Sequence, residues 1–156
     1  MPLELTSSAF QEGATIPTKY TGGGANVSPP LKWTEPPGGT QALALICEDP
    51  DAPRKTWTHW VIFNLPAGSR ELREGVSRSE SLPDGSAQGL NDFGEVGYGG
   101  PAPPPGKPHR YFFRLYALDQ KLDLPPRAEK QQVMKAMEGH VLGQCQLMGT
   151  YGRSAK

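Results

Sequence analysis

Proline and glycine interrupt this chain so often that little room is left for helix. The 156 residues include 17 prolines and 19 glycines, close to a quarter of the total, and residues 101–108 read Pro-Ala-Pro-Pro-Pro-Gly-Lys-Pro. Proline lacks the backbone N–H and its ring clashes with the preceding turn, so a regular helix is forbidden there. A composition this rich in Gly and Pro approaches the range of disordered chains. Three dense apolar runs argue against disorder: residues 42–47, 60–65 and 111–118. Each is of strand length and reads as a run rather than an alternation, which suits a strand covered on both faces, and the second and third are rich in aromatic and β-branched side chains. Glycine and proline are then turn chemistry between strands. Residues 3–40, with Gly22-Gly23-Gly24 and Ser28-Pro29-Pro30 as breakers, and residues 66–110 read mostly as turns and loops. One helix is predicted, over 127–138. Val133, Met137 and Val141 stand at i, i+4, i+8 beside Met134, after Pro125-Pro126, with Gly139 as the stop. The reading is a mainly β, antiparallel two-sheet sandwich with one or two short helices, forming a single domain over 1–156.

A domain of this length buries roughly 70% of its unfolded surface and needs no disulfide or metal staple. The two cysteines, Cys47 and Cys145, make no disulfide framework. Sixteen basic residues balance sixteen acidic ones, which argues against nucleic acid or a membrane surface as the main partner. The N-terminus lacks a signal-peptide pattern, and no apolar stretch approaches the ~20 residues of a membrane span, so a cytoplasmic location is expected.

Chemistry-bearing residues gather in two segments. Asp49-Pro50-Asp51-Ala52-Pro53 is followed by Trp57 and His59-Trp60, and Gly97-Tyr98-Gly99-Gly100-Pro101 leads to His109-Arg110-Tyr111. His59 and His109 each lie beside an apolar run, so both are placed at strand ends, where each either joins a polar pocket or ties a loop to backbone. The prolines after Asp49 and Ala52 hold those residues extended. The two carboxylates therefore either help build a site or cap Asx turns. Glycines at 99 and 100 could expose backbone N–H groups as an anion nest. Tyr98, Trp57, Trp60 and Tyr111 could line or lid the pocket, with core packing favoured for Trp60. A dinucleotide fingerprint fails because prolines follow the glycines, and the P-loop spacing is wrong. Two His and two Asp could in principle bind a metal, but their spacing fits no compact ligand motif. No Gly-x-Ser-x-Gly elbow is present and Cys47 lies in an apolar run, so neither metal nor cofactor nor nucleophile is expected.

These residues closely resemble the phosphatidylethanolamine-binding protein family, in its bacterial and archaeal Raf-kinase-inhibitor-like branch. The match runs from Ile16-Pro17 and Tyr20-Thr21 through Asn26, Ser28-Pro29-Pro30-Leu31 and Trp33. It takes in the two segments above and Pro103-Pro104, and closes with Gly139-His140 and Gly149-Thr150-Tyr151-Gly152-Arg153. The resemblance implies a β-sandwich with an anion pocket at one end, formed by Asp49, Asp51, Trp57, His59, Gly100, Pro101, His109 and Tyr111. It implies a binding protein for phosphate, carboxylate or a phosphoethanolamine-like head group, with a regulatory role. The alternative is a kinase or protease inhibitor acting through protein contacts at the pocket rim, and a hydrolase ranks below both. It also implies a homodimer. Gly22 and Ala102 stand where many bacterial relatives carry cysteine, which puts a redox role at those positions in doubt. The chain stops soon after Arg153, so the C-terminal helix that borders the pocket in mammalian relatives is expected to be lacking, leaving the pocket more open.

Overall fold

The structure, a computed structural model, describes residues 3–153. Its elements in chain order are β1 (Leu5–Thr6), a 3-10 turn (Thr18–Tyr20), β2 (Leu31–Trp33), β3 (Ala42–Asp49), β4 (Trp57–Pro66), β5 (Glu71–Leu72), β6 (Ala87–Gln88), β7 (His109–Leu118), α1 (Lys130–Met137) and β8 (Val141–Tyr151). They form two sheets. A five-stranded sheet has the order β6-β4-β3-β7-β8, and a three-stranded sheet the order β1-β2-β5. All named strand pairs are antiparallel.

The apolar runs form the middle of the larger sheet, and both of its faces are covered. On one face Leu43, Leu45, Trp60, Ile62, Phe113 and Leu115 pack against Leu5, Leu31, Trp33 and Leu72 of the smaller sheet. On the other, Ala44, Ile46, Val61, Phe63 and Leu118 are roofed by Leu122 and by Val133 and Met137 of α1. Each fully buried Leu, Ile or Phe contributes roughly 1.5–3 kcal/mol, so a polar residue on either face would be costly. That is why these strands read as apolar runs, broken only by Asn64 and Arg114.

Two expectations need correction. Helix α1 starts three residues later than predicted. Arg127 has a left-handed φ of 73° and its N–H bonds the Gln88 carbonyl at 2.9 Å, so the helix begins only after Glu129, which forms a reciprocal capping box with Gln132. Val141 is not the last residue of the helical stripe. It opens β8 and is exposed, as is Met134, and the buried stripe reduces to Val133 and Met137. Strand β8 itself is not marked by any apolar run. As the outer strand it buries few residues, chiefly Leu147 and Gly149, so only a weak alternation with Gln144, Gln146 and Met148 betrays it.

Among the described residues no helix is long and apolar enough to cross a membrane.

Candidate functional site

The ends of three adjacent strands converge at one edge of the sandwich. Asp49 ends β3, Trp57 begins β4 and pairs with it, and His109 begins β7. Within the β3–β4 pair the register steps from Cys47↔Trp60 to Glu48↔Thr58, so β4 carries His59 as an extra residue. A β-bulge of this kind re-aims a side chain. Here it brings the His59 ring to 5.2 Å from the Tyr111 ring, edge to face.

A cavity of about 190 Å³ opens between these strand ends. Asp49, Trp57, His59, His109 and Tyr111 line it, and Ala52, Pro53, Phe93, Ala102, Pro103 and Pro104 complete its wall. The polar part is the deep part: Asp49, His59 and Tyr111 are each at most 3% exposed. Phe93 in this wall is a residue that sequence reasoning missed. The available signal was a lone phenylalanine inside turn chemistry. Asn91 Oδ1 accepts the N–H groups of Phe93 and Glu95, and this Asx-type turn holds the ring outward, edge to face on Trp57 and His59.

The hydrogen bonds fix the roles of the two histidines. His109 Nδ1 donates to Asp49 Oδ2 at 2.7 Å. Asp49 also accepts the Asp51 N–H through Oδ1 at 2.7 Å, so both of its oxygens are engaged. His59 Nδ1 donates to the Gly99 carbonyl at 2.6 Å. Burial pushes the His59 pKa below the usual imidazole value, although the Gly99 carbonyl and the charges of Asp49 and Asp92 pull the other way. Burial first and Asp49 second push the Tyr111 phenol well up, so it stays protonated. Among the described residues, two buried side-chain polar atoms have no hydrogen-bond partner: Trp57 Nε1 and Tyr111 OH. Both belong to residues of this cavity.

Three of the expected site residues stand elsewhere. Asp51 turns away from the cavity. Its carboxylate takes the Arg110 backbone N–H at 2.9 Å and the Arg110 guanidinium at 2.9 and 3.0 Å, and these bonds hold its pKa down to about 2. Gly100 is a packing residue. A Cβ there would lie 2.3 Å from the Tyr20 carbonyl oxygen, and its N–H donates to Asn26 Oδ1 at 2.8 Å. The Gly99 N–H donates to the His59 carbonyl at 2.9 Å, so the expected nest of free N–H groups is not formed. Gly99 is required for a different reason: a Cβ would meet the Phe93 ring at 2.6 Å. Pro101 is buried beside the cavity, with its carbonyl accepting the Gly22 N–H at 2.8 Å. Tyr98 and Trp60 are core residues, bonded to the Tyr20 carbonyl and to Gln88 Oε1.

No group of three or more His, Cys, Asp or Glu that could hold a metal ion occurs among the described residues. Both cysteines are free. Burial raises the Cys47 thiol pKa well above its usual value and takes that of Cys145 up to about 11, so neither is a thiolate at neutral pH.

Comparison with known proteins agrees with this architecture. The family model described as phosphatidylethanolamine-binding protein matches residues 6–152. The chain belongs to the phosphatidylethanolamine-binding protein family. A UPF0098 protein of Methanothermobacter thermautotrophicus is 58% identical over 151 residues, covering 97% of this chain and 99% of that one. The crystal structure of the family homologue CT736 from Chlamydia trachomatis superposes with a TM-score of 0.89 at 40% identity, covering 98% and 99% of the two chains. That of E. coli YbcL, described as a new member of the mammalian family, gives 0.92 at 32% identity, covering 99% and 100%. None of these names is that of an enzyme.

Proposed function

We propose that the cavity binds a small oxyanion, the phosphoryl or carboxylate group of a larger ligand, and that the protein acts by binding rather than by turnover. The observation that carries this reading is the pair of unpartnered buried donors, Trp57 Nε1–H and Tyr111 O–H, on one cavity. Buried polar groups are nearly always hydrogen-bonded, and leaving one unmade costs about 1–3 kcal/mol. Two such donors, on side chains that line one cavity, would be satisfied by an acceptor from outside. His109 adds a third donor: with Nδ1–H on Asp49, its Nε2 can donate when the ring is protonated. Pairing with His109 also screens the Asp49 carboxylate, which would repel an anion if it stood alone.

The size of the space supports a head group. At about 190 Å³ it is smaller than the roughly 300–1,000 Å³ of a site that encloses a drug-sized molecule. The rest of the ligand would lie over Phe93, Pro103 and Pro104. No serine, threonine or cysteine lines the cavity, which favours binding over covalent catalysis.

Calorimetric titration with inorganic phosphate and phosphoethanolamine tests the reading. Saturable binding is expected, weakened roughly 10- to 100-fold by Tyr111→Phe and by Trp57→Phe, since a hydrogen bond to a charged group contributes about 1.5–3 kcal/mol. Absence of binding in the wild type, or unchanged affinity in both variants, would refute it.

A further inference from the structure

The hydrogen-bonding groups of the cavity are not all of one polarity, and this narrows the ligand beyond an oxyanion in general. His59 is 2% exposed. Its ring is held edge to face by Phe93 at 5.5 Å and by Tyr111 at 5.2 Å. Its Nδ1 lies 2.6 Å from the Gly99 carbonyl oxygen. A carbonyl can only accept, so Nδ1 carries the ring proton. In the neutral ring, which burial favours, Nε2 is then a bare acceptor. His59 therefore meets a ligand as an acceptor and not as a donor. Two other side chains of the cavity bring protons: Trp57 Nε1–H can only donate, and the Tyr111 O–H donates when it meets a bare oxygen.

We propose that the cavity selects an oxyanion that still carries an O–H. Trp57 and Tyr111 donate to its bare oxygens, His109 adds a third donor in its protonated form, and His59 Nε2 accepts from its hydroxyl. The proposal rests on the oxyanion reading above. Inorganic phosphate meets the pattern at pH 7, since both of its forms there keep an O–H, whereas a phosphomonoester meets it only in its monoprotonated form, which prevails below about pH 6. Sulfate, carboxylates and phosphodiesters have no O–H at neutral pH. They would set an oxygen lone pair against the lone pair of Nε2. Loss of one hydrogen bond, with two acceptors left facing each other, predicts roughly 10- to 100-fold weaker binding.

Calorimetric titrations at pH 7 and matched ionic strength, with inorganic phosphate, sulfate and dimethyl phosphate, test this directly. Sulfate matches the divalent charge of phosphate and dimethyl phosphate the monovalent charge, so charge alone cannot produce the preference. Phosphate is expected to bind at least tenfold more tightly than either. In His59→Gln the amide can turn its NH2 to any oxyanion, and the preference should shrink to within about threefold. The indole N–H signals of Trp33 and Trp60, both hydrogen-bonded in the core, report whether that variant is folded. Equal binding of all three anions by the wild type would overturn the selection and leave the oxyanion site standing. Binding of none would overturn both. A preference for phosphate that survives intact in folded His59→Gln would overturn the assignment to His59. If that variant does not fold, the wild-type comparison alone decides the selection.

Discussion

Two His–Asp pairs stand at opposite ends of β7, and only one of them makes a site. His109 Nδ1 lies 2.7 Å from Asp49 Oδ2, and His140 Nδ1 lies 2.8 Å from Asp119 Oδ1. The bond is almost the same, but the surroundings differ. The first pair is 12% and 4% exposed and lies against a cavity with two unpartnered donors. The second is 33% and 42% exposed and clips the two ends of the crossover that carries α1, where the Asp119 N–H also bonds the His140 carbonyl at 3.0 Å. A His–Asp pair by itself is a tether. It becomes part of a site where strand ends, a β-bulge and proline-rich loops exclude water around it and leave donors without acceptors.

Substitutions should separate the two pairs. The largest contrast is in ligand affinity. His109→Ala removes a donor and leaves the Asp49 carboxylate bare beside the bound oxyanion, so phosphate affinity measured by calorimetry should fall roughly a hundredfold. His140→Ala should leave it unchanged. Stability gives a smaller contrast. Asp49→Ala leaves His109 Nδ1–H and the Asp51 N–H without their acceptor, and chemical denaturation should show a loss of about 1–3 kcal/mol. Asp119→Ala breaks an exposed pair and should lose at most about 1 kcal/mol. Similar losses in both would break the comparison.

The smallest effect is in pH dependence, and it belongs to the cavity end through His59. Its pKa is lower folded than unfolded. Between the lowered value and the unfolded value of about 6.5, the unfolded chain binds a proton that the folded chain does not. Stability therefore falls as pH drops through that window and is fully retained above it. In folded His59→Gln, denaturation curves taken across the window should lose this component, and an unchanged pH profile would contradict the buried, neutral assignment of His59.

The fold was legible where physics leaves one solution. Residues 42–47, 60–65 and 111–118 are apolar almost throughout, broken only by Asn64 and Arg114, because both faces of their sheet are covered, and the prolines of 101–108 exclude helix whatever the context. Strand β8 was hidden because an outer strand that buries little needs no unbroken apolar run, and its apolar residues are interspersed with Gly143, Gln144, Gln146 and Gly149. The extent of α1 was misjudged because Val141 happens to fall on the helical period while belonging to the next strand. The residues of the site were legible as types at strand ends. Their roles were not, because partner choice is set across the fold: Arg110 draws Asp51 outward, Asn26 takes the Gly100 N–H, and Gly99 fixes the His59 tautomer from forty residues away. The bulge at His59 and the ring of Phe93 depend on strand register and loop packing, which no local pattern encodes.

The most direct test of the account is a phosphate titration of the uniformly 15N-labelled protein, following the three indole N–H signals and the histidine ring signals together. Trp33 and Trp60 have their indole partners in the Ser69 carbonyl and in Gln88, whereas Trp57 has none. The account predicts saturable shifts of the Trp57 indole and of the His109 and His59 rings with one common affinity, while Trp33, Trp60 and His140 stay in place. No shift at Trp57, or equal shifts at His109 and His140, would contradict it.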